Sequence, residues 1–319
     1  MNANFKIGLG TAAIGRPLYI NIREESTNNE FSLEYFRQKG IEVLDAAYAQ
    51  GIRYFDTAPG YGMAEQMLID WIQEKKDENI EIATKWGYTY VANFDSEAIQ
   101  HEIKEHSLQK LNEQWEASKN LLPWLTTYQI HSATLETGVL DNTEVLNRLA
   151  QLKDEYGIRM AITTTGANQV DVLNRALDIE VDGNELFDLF QVTYNVFDQS
   201  IALLAGQIAN RGKRLVIKEA LANGRTFPNE KYPNYGETYS CLNQLAIKYN
   251  VGVDAVALRF CIDSIPVYKL LSGASQNQHL SDNLKANDFR LLDGEIDTIK
   301  ELAVNPVEYW NERKQLGWS

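Results

Sequence analysis

The chain has 319 residues, 44% of them apolar, with 30 basic against 44 acidic side chains, a formal charge of −14. That acidity argues against nucleic acid or an anionic membrane as partner, and no apolar run reaches the ~20 residues that span a bilayer. The start, MNANFKIGLG, lacks a secretory signal's charged and apolar regions, and Cys241 and Cys261 have no metal-ligand spacing and read as buried reduced thiols, so a cytoplasmic protein is expected.

In chain order, eight short apolar runs recur: residues 5–10, 53–58, 80–86, 128–133, 159–165, 189–195, 214–220 and 267–274. The first is followed by a polar insert, 16–29, and then by a helical segment ending at Gly51. Further helical patterns cover 62–76, 96–119, 142–156, 168–179, 200–211, 238–249 and 277–286. The clearest holds Val145, Leu146, Leu149 and Leu152 on one face, closed by Gly157. Eight strand–helix units predict a single-domain (β/α)8 TIM barrel over residues 1–319. Added helices are expected at 253–264 and once more in the aromatic, basic tail. An open doubly wound sheet fits less well: the first turn carries Gly8 and Gly10, but Ala13 stands where G-x-G-x-x-G needs glycine.

In a parallel barrel the chemistry gathers where strands end. Those ends hold Asp56, Lys85 and His131, with Tyr61 just beyond Asp56 in the turn APGYG. Each alone has a bland reading: a turn-forming aspartate, a rim lysine, a packed histidine, a packed tyrosine. Brought together by adjacent strands, Asp56 and Lys85 form a buried pair, because either charge alone is costly to bury. A cation beside Tyr61 is expected to lower the phenol's pKa, and His131 can donate to an oxygen near that hydroxyl. This set suits protonation of a carbonyl oxygen while a second group delivers hydride.

The stretches YFDTAPGYG, IATKWG and YQIHSA resemble the signatures of the aldo-keto reductase superfamily, and the resemblance runs over nearly the whole chain. It implies that Tyr61 is the general acid, that Lys85 lowers its pKa, that Asp56 holds Lys85, and that His131 orients the carbonyl. It also implies a nicotinamide dinucleotide over the barrel mouth. Asp56, Thr11 and Ala12 lie near the nicotinamide, with Thr163, Thr164 and Gln191 at its carboxamide. Lys218, Glu219, Leu221 and Gly224 belong to a loop crossing the pyrophosphate. Gly273, Ala274, Ser275, Gln276, His279 and Asn283 lie at the adenosine phosphate and adenine.

Two positions depart from the family pattern. Lys218 replaces a stacking aromatic, and is expected to bind an anion or to pair with Glu219. Residues 273–279 carry no permanent cation, so NADP(H) is favoured by resemblance while NAD(H) stays open. Trp86 and Tyr19 are expected to wall a pocket for a small carbonyl or sugar substrate. A sugar 1-dehydrogenase running oxidatively and a non-catalytic, NADPH-binding redox sensor are the alternatives. A glycosidase lacks its carboxylate pair, and an aldolase would want Lys85 unpaired and neutral. Neither substrate identity nor oligomeric state is written in the sequence.

Overall fold

A computed structural model describes residues 6–17, 32–95 and 97–317. Eight parallel strands close on themselves: β1 (Ile7–Gly10), β2 (Tyr54–Asp56), β3 (Glu81–Trp86), β4 (Leu125–Ala133), β5 (Arg159–Thr164), β6 (Phe187–Thr193), β7 (Arg214–Lys218) and β8 (Lys269–Ser272). Neighbours follow chain order, and the ring closes where Ile7 pairs with Leu270 and Leu9 with Ser272. Six of the eight strands fall inside the apolar runs of the sequence, and β4 and β6 begin three and two residues ahead of theirs. Strands buried on both faces need such runs, whereas a half-exposed strand would alternate.

The two faces divide the core. Leu9, Phe55, Ile82, Ile130, Ile162, Phe190 and Ile217 look outward and pack with the surrounding helices. Inside, a smaller cluster holds Tyr54, Ala83, Ala161, Leu189, Val216 and Leu271. Two residues further along five of these strands, on the same face, stand Asp56, Lys85, Thr163, Gln191 and Lys218. Strand alternation therefore stacks a polar layer on an apolar floor at the C-terminal end of the barrel.

The helices differ from the sequence reading in two places. The helix expected over 96–119 is confined to Leu108–Ser118, where Ser107 caps it by accepting from the Lys110 N–H at 3.1 Å. The residues before it instead form a two-stranded antiparallel hairpin, Tyr88–Tyr90 against Glu102–Lys104. The tail carries two helices rather than one. Asp293–Lys300 ends before Asn305, which caps a new start with Pro306 in the first turn, giving Pro306–Lys314. The added helix Val253–Ser264 is where the sequence puts it. No described helix is long and apolar enough to cross a membrane.

One buried carboxyl lies between the barrel and its helices. Glu65, on helix Ala64–Lys75, accepts from Thr84 Oγ1 at 2.5 Å and from Ser118 Oγ at 2.9 Å. Burial raises it to about 7, against the pull of those donors. The folded chain thus holds this proton more tightly than the unfolded chain. The resulting stability is fully present below the ordinary value of 4.5 and is lost as pH rises through about 7. Glu65→Gln keeps the acceptor oxygen and is expected to stabilise the protein at pH 8 by on the order of 2–3 kcal/mol, with little change at pH 5. Denaturant melts at the two pH values measure this, and equal shifts at both would contradict it.

Candidate active site

The polar layer is organised around Asp56. Lys85 Nζ pairs with its Oδ1 and also donates to the Thr57 carbonyl at 3.0 Å. Both side chains are buried, 1% and 3% exposed. Gln129 and Gln191 donate to Oδ2 at 3.0 and 2.7 Å. One cation and two amides from three strands thus satisfy the carboxylate, which is what allows a charge pair to sit in the barrel.

Tyr61 is brought over this pair by a close approach of two loops. A Cβ on Gly15 would lie 2.2 Å from the Tyr61 carbonyl oxygen, so only glycine admits the contact. Lys85 Nζ lies 4.7 Å from the Tyr61 ring centroid, and the hydroxyl is 3.4 Å from His131 Nε2. The two rings meet edge to face at 85°. Burial, then Asp56, raises the phenol well above its usual value, and Arg16 opposes them. The lowering expected from Lys85 does not offset burial and the Asp56 charge in this arrangement. Burial, then Lys85 and Arg16, holds the His131 imidazole well below its ordinary value. Around neutral pH the site therefore presents a protonated phenol against an uncharged imidazole.

These groups border a cavity of about 70 Å³. Ser132, Thr163, Thr165 and Gln191 give it hydroxyl and amide groups, and Arg16, Glu102, Lys218, Glu219 and Arg313 give it charge. No aliphatic side chain among the described residues lines it. Thr163 and Gln191 face it, but the Thr164 hydroxyl turns outward to Gln169 at 3.2 Å. The expectation for Trp86 is corrected for the same reason. Since Lys85 points in, Trp86 points out, buried between barrel and helices with its ring 5.4 Å from that of His106. Tyr88 takes its place at the cavity, its ring 4.7 Å from His131. Tyr19 lies outside the described residues.

Lys218 Nζ donates to Thr193 Oγ1 at 2.8 Å and stands 3.8 Å from Glu219, the ion pair weighed from sequence. Burial lowers the lysine. Burial opposes ionisation of Glu219, but Arg313 and Lys218 together bring it down to about 2. Arg313, on Pro306–Lys314, reaches Glu219 through three contacts of 2.6–3.1 Å. Glu219, Ala222, Asn223 and Gly224 all adopt positive φ, and Leu221 between them is half-buried, so this loop after β7 turns sharply.

The Thr11 hydroxyl donates to the Asp56 carbonyl at 3.0 Å, and Ala12 begins a short buried helix behind it. After β8, Gly273 is exposed, Ala274 buried, and Ser275 and Gln276 lead into helix Asn277–Leu284. Gln276 makes no side-chain cap there, which leaves first-turn N–H groups available to an anion. His279 is exposed on that helix, while Asn283 is buried and donates to Ser272 Oγ at 2.8 Å, fastening the helix to β8. Sequence reading missed Arg16, Tyr88, Glu102, Gln129, Ser132, Thr165 and Arg313. Only Gln129 carried a signal, standing two residues before His131 on one strand face.

A family model described as the Aldo/keto reductase family matches residues 6–304. The chain is 23% identical over 328 residues to the NADH-specific methylglyoxal reductase of Escherichia coli, spanning 93% of this chain and 94% of that one. It superposes on the glycerol dehydrogenase of Gluconobacter oxydans with a TM-score of 0.69 at 22% identity, covering 93% and 90% of the two chains. For an aldo/keto reductase from Klebsiella pneumoniae in complex with NADP and acetate, the TM-score is 0.67 at 18% identity, with the same coverage. At these identities the structural likenesses speak for the barrel.

Asp56→Asn leaves Lys85 buried without a countercharge and is expected to cost about 3–5 kcal/mol. Adding Lys85→Met should restore much of that loss. A double-mutant cycle by urea denaturation checks it, and additive losses would show that the pair is not coupled.

Proposed function

The chain belongs to the Aldo/keto reductase family, whose members carry out NAD(P)H-dependent carbonyl chemistry, and on that premise we propose that it reduces a small, hydrophilic aldehyde or ketone to the alcohol with Tyr61 as general acid. The observation that carries this reading is the meeting of the Tyr61 hydroxyl and the His131 imidazole, both uncharged, above the Asp56–Lys85 pair. An acid must hold its proton until the carbonyl oxygen takes it, and a phenol raised by burial does so through neutral pH. The phenolate left behind lies close to the Lys85 ammonium.

His131 Nδ1 is buried and finds no partner among the described residues. A bare lone pair there is less costly than an unpaired N–H, which favours the proton on Nε2, facing the Tyr61 oxygen. In this reading Nε2–H steadies the carbonyl oxygen while Tyr61 protonates it.

The donor set fits a nicotinamide dinucleotide, which supplies the hydride when bound. Thr163 and Gln191 would hold the carboxamide, the loop from Lys218 to Gly224 the pyrophosphate, and Ser275, Gln276 and the open start of Asn277–Leu284 the adenosine end. Family likeness favours NADP(H), while hydroxyls and amides without a cation at 273–279 also accept the ribose of NAD(H).

The mainly polar cavity supports a hydroxylated substrate over an apolar one. It also supports the second reading, a sugar 1-dehydrogenase, because the same residues run the reaction backwards. A screen of hydroxylated and aliphatic aldehydes with NADPH and NADH, and of aldoses with the oxidised cofactors, tests both. Turnover is expected for hydroxylated compounds, falling by about 10²–10⁴ in Tyr61→Phe. Absence of turnover, or a Tyr61→Phe variant as fast as the wild type, would overturn the assignment.

A further inference from the structure

Strand β4 is irregular where the site needs it. Its register with β5 runs from Ile130 opposite Ile162 to Ala133 opposite Thr164, so one extra residue is accommodated at His131–Ser132. Ser132 has φ of +54°. Such a bulge re-aims a side chain but takes peptide groups out of the strand ladder, and buried peptide groups need other partners.

Side chains supply them. The Ser132 N–H donates to Thr163 Oγ1 at 2.7 Å, and the Ser132 carbonyl accepts from Lys104 Nζ at 2.6 Å. The His131 carbonyl accepts from His106 Nε2 at 2.9 Å. Lys104 closes the second strand of the hairpin, and His106 follows it by two residues. The hairpin thus secures both carbonyls of the bulge, and its Tyr88 ring packs on the His131 imidazole from the side.

His106 is fitted closely. A Cβ on Gly87 would stand 2.3 Å from His106 Cδ2, and Gly87 itself has φ of +110°. A carbonyl accepts only, so the His106 proton sits on Nε2. Burial, helped by Lys104, lowers this histidine to about 4, and it stays neutral in one tautomer.

We propose that His106 is a positioning residue for His131: its Nε2–H holds the His131 carbonyl and thereby sets how the imidazole faces the Tyr61 hydroxyl. The kinetic arm of the test rests on the carbonyl-reductase reading, and the spectroscopic arm does not. The chain has four histidines, so its imidazole nitrogens are assignable by long-range 15N–1H NMR. His106→Leu fills the space without the donor, while His106→Gln restores an N–H at similar reach. His106→Leu is expected to change the His131 nitrogen pattern and to lower kcat by about 10–100-fold, with dinucleotide Kd unchanged. His106→Gln is expected to return both towards wild type. An unaltered His131 pattern and kcat in His106→Leu would overturn the proposal. So would a His106→Gln variant that folds yet loses kcat as severely, a result that decides the matter even if the leucine variant fails to fold. If the wild type moves hydride to no carbonyl, the functional reading falls, and the NMR comparison still decides the role of His106.

Discussion

A buried ammonium facing a buried carboxylate is the constraint from which the rest of this site follows. Taking either charge out of water costs several kcal/mol, and their attraction offsets this only when the remaining hydrogen-bonding positions are filled. Here Gln129, Gln191 and the Thr57 carbonyl fill them. Those partners come from separate strands, so the barrel must close before the pair is satisfied. The same closure places Tyr61 over the pair and Lys218 across from it.

Burial also decides the electrostatics of the phenol. Asp56 adds to it, Arg16 only opposes it, and the proton stays on Tyr61. Of the cations at the cavity, Arg16 pairs with Glu102 at 2.9 Å, and both Lys218 and Arg313 attend Glu219. The helix carrying Arg313 is itself fixed. Trp310 donates to Asp198 at 2.9 Å, and Tyr309 accepts from Asn195 at 2.9 Å. The mouth above β6 and β7 is therefore walled by a segment distant in sequence, and its polarity is set by paired charges.

The barrel, the three strand-end residues and Tyr61 beyond the first of them were legible because they follow from period-two patterning and short local motifs. Asp56, Lys85 and His131 each stand in the second half of an apolar run, and Tyr61 lies in the turn after the first of them. What was not legible depends on direction and distance. Trp86 beside Lys85 reads as a pocket wall because adjacency in sequence hides the change of face along a strand. Residues 96–107 resemble a helix in their spacing of apolar positions, yet the helix starts only after its cap Ser107, and the preceding hairpin delivers Tyr88 and Glu102 to the site. Arg313 meets Glu219 across 94 residues, and no local pattern announces that.

The polar layer stands two residues above the apolar floor on strand after strand, which ties the chemistry to length as well as identity. Loops around the mouth can grow or shrink during divergence without disturbing it. A single residue gained or lost between Ala83 and Lys85 would rotate an indole into the barrel and send the ammonium into the helix layer. Such a lineage would tolerate many substitutions within its strands but almost no slippage, so insertions and deletions should accumulate in the connections, where new substrates are acquired.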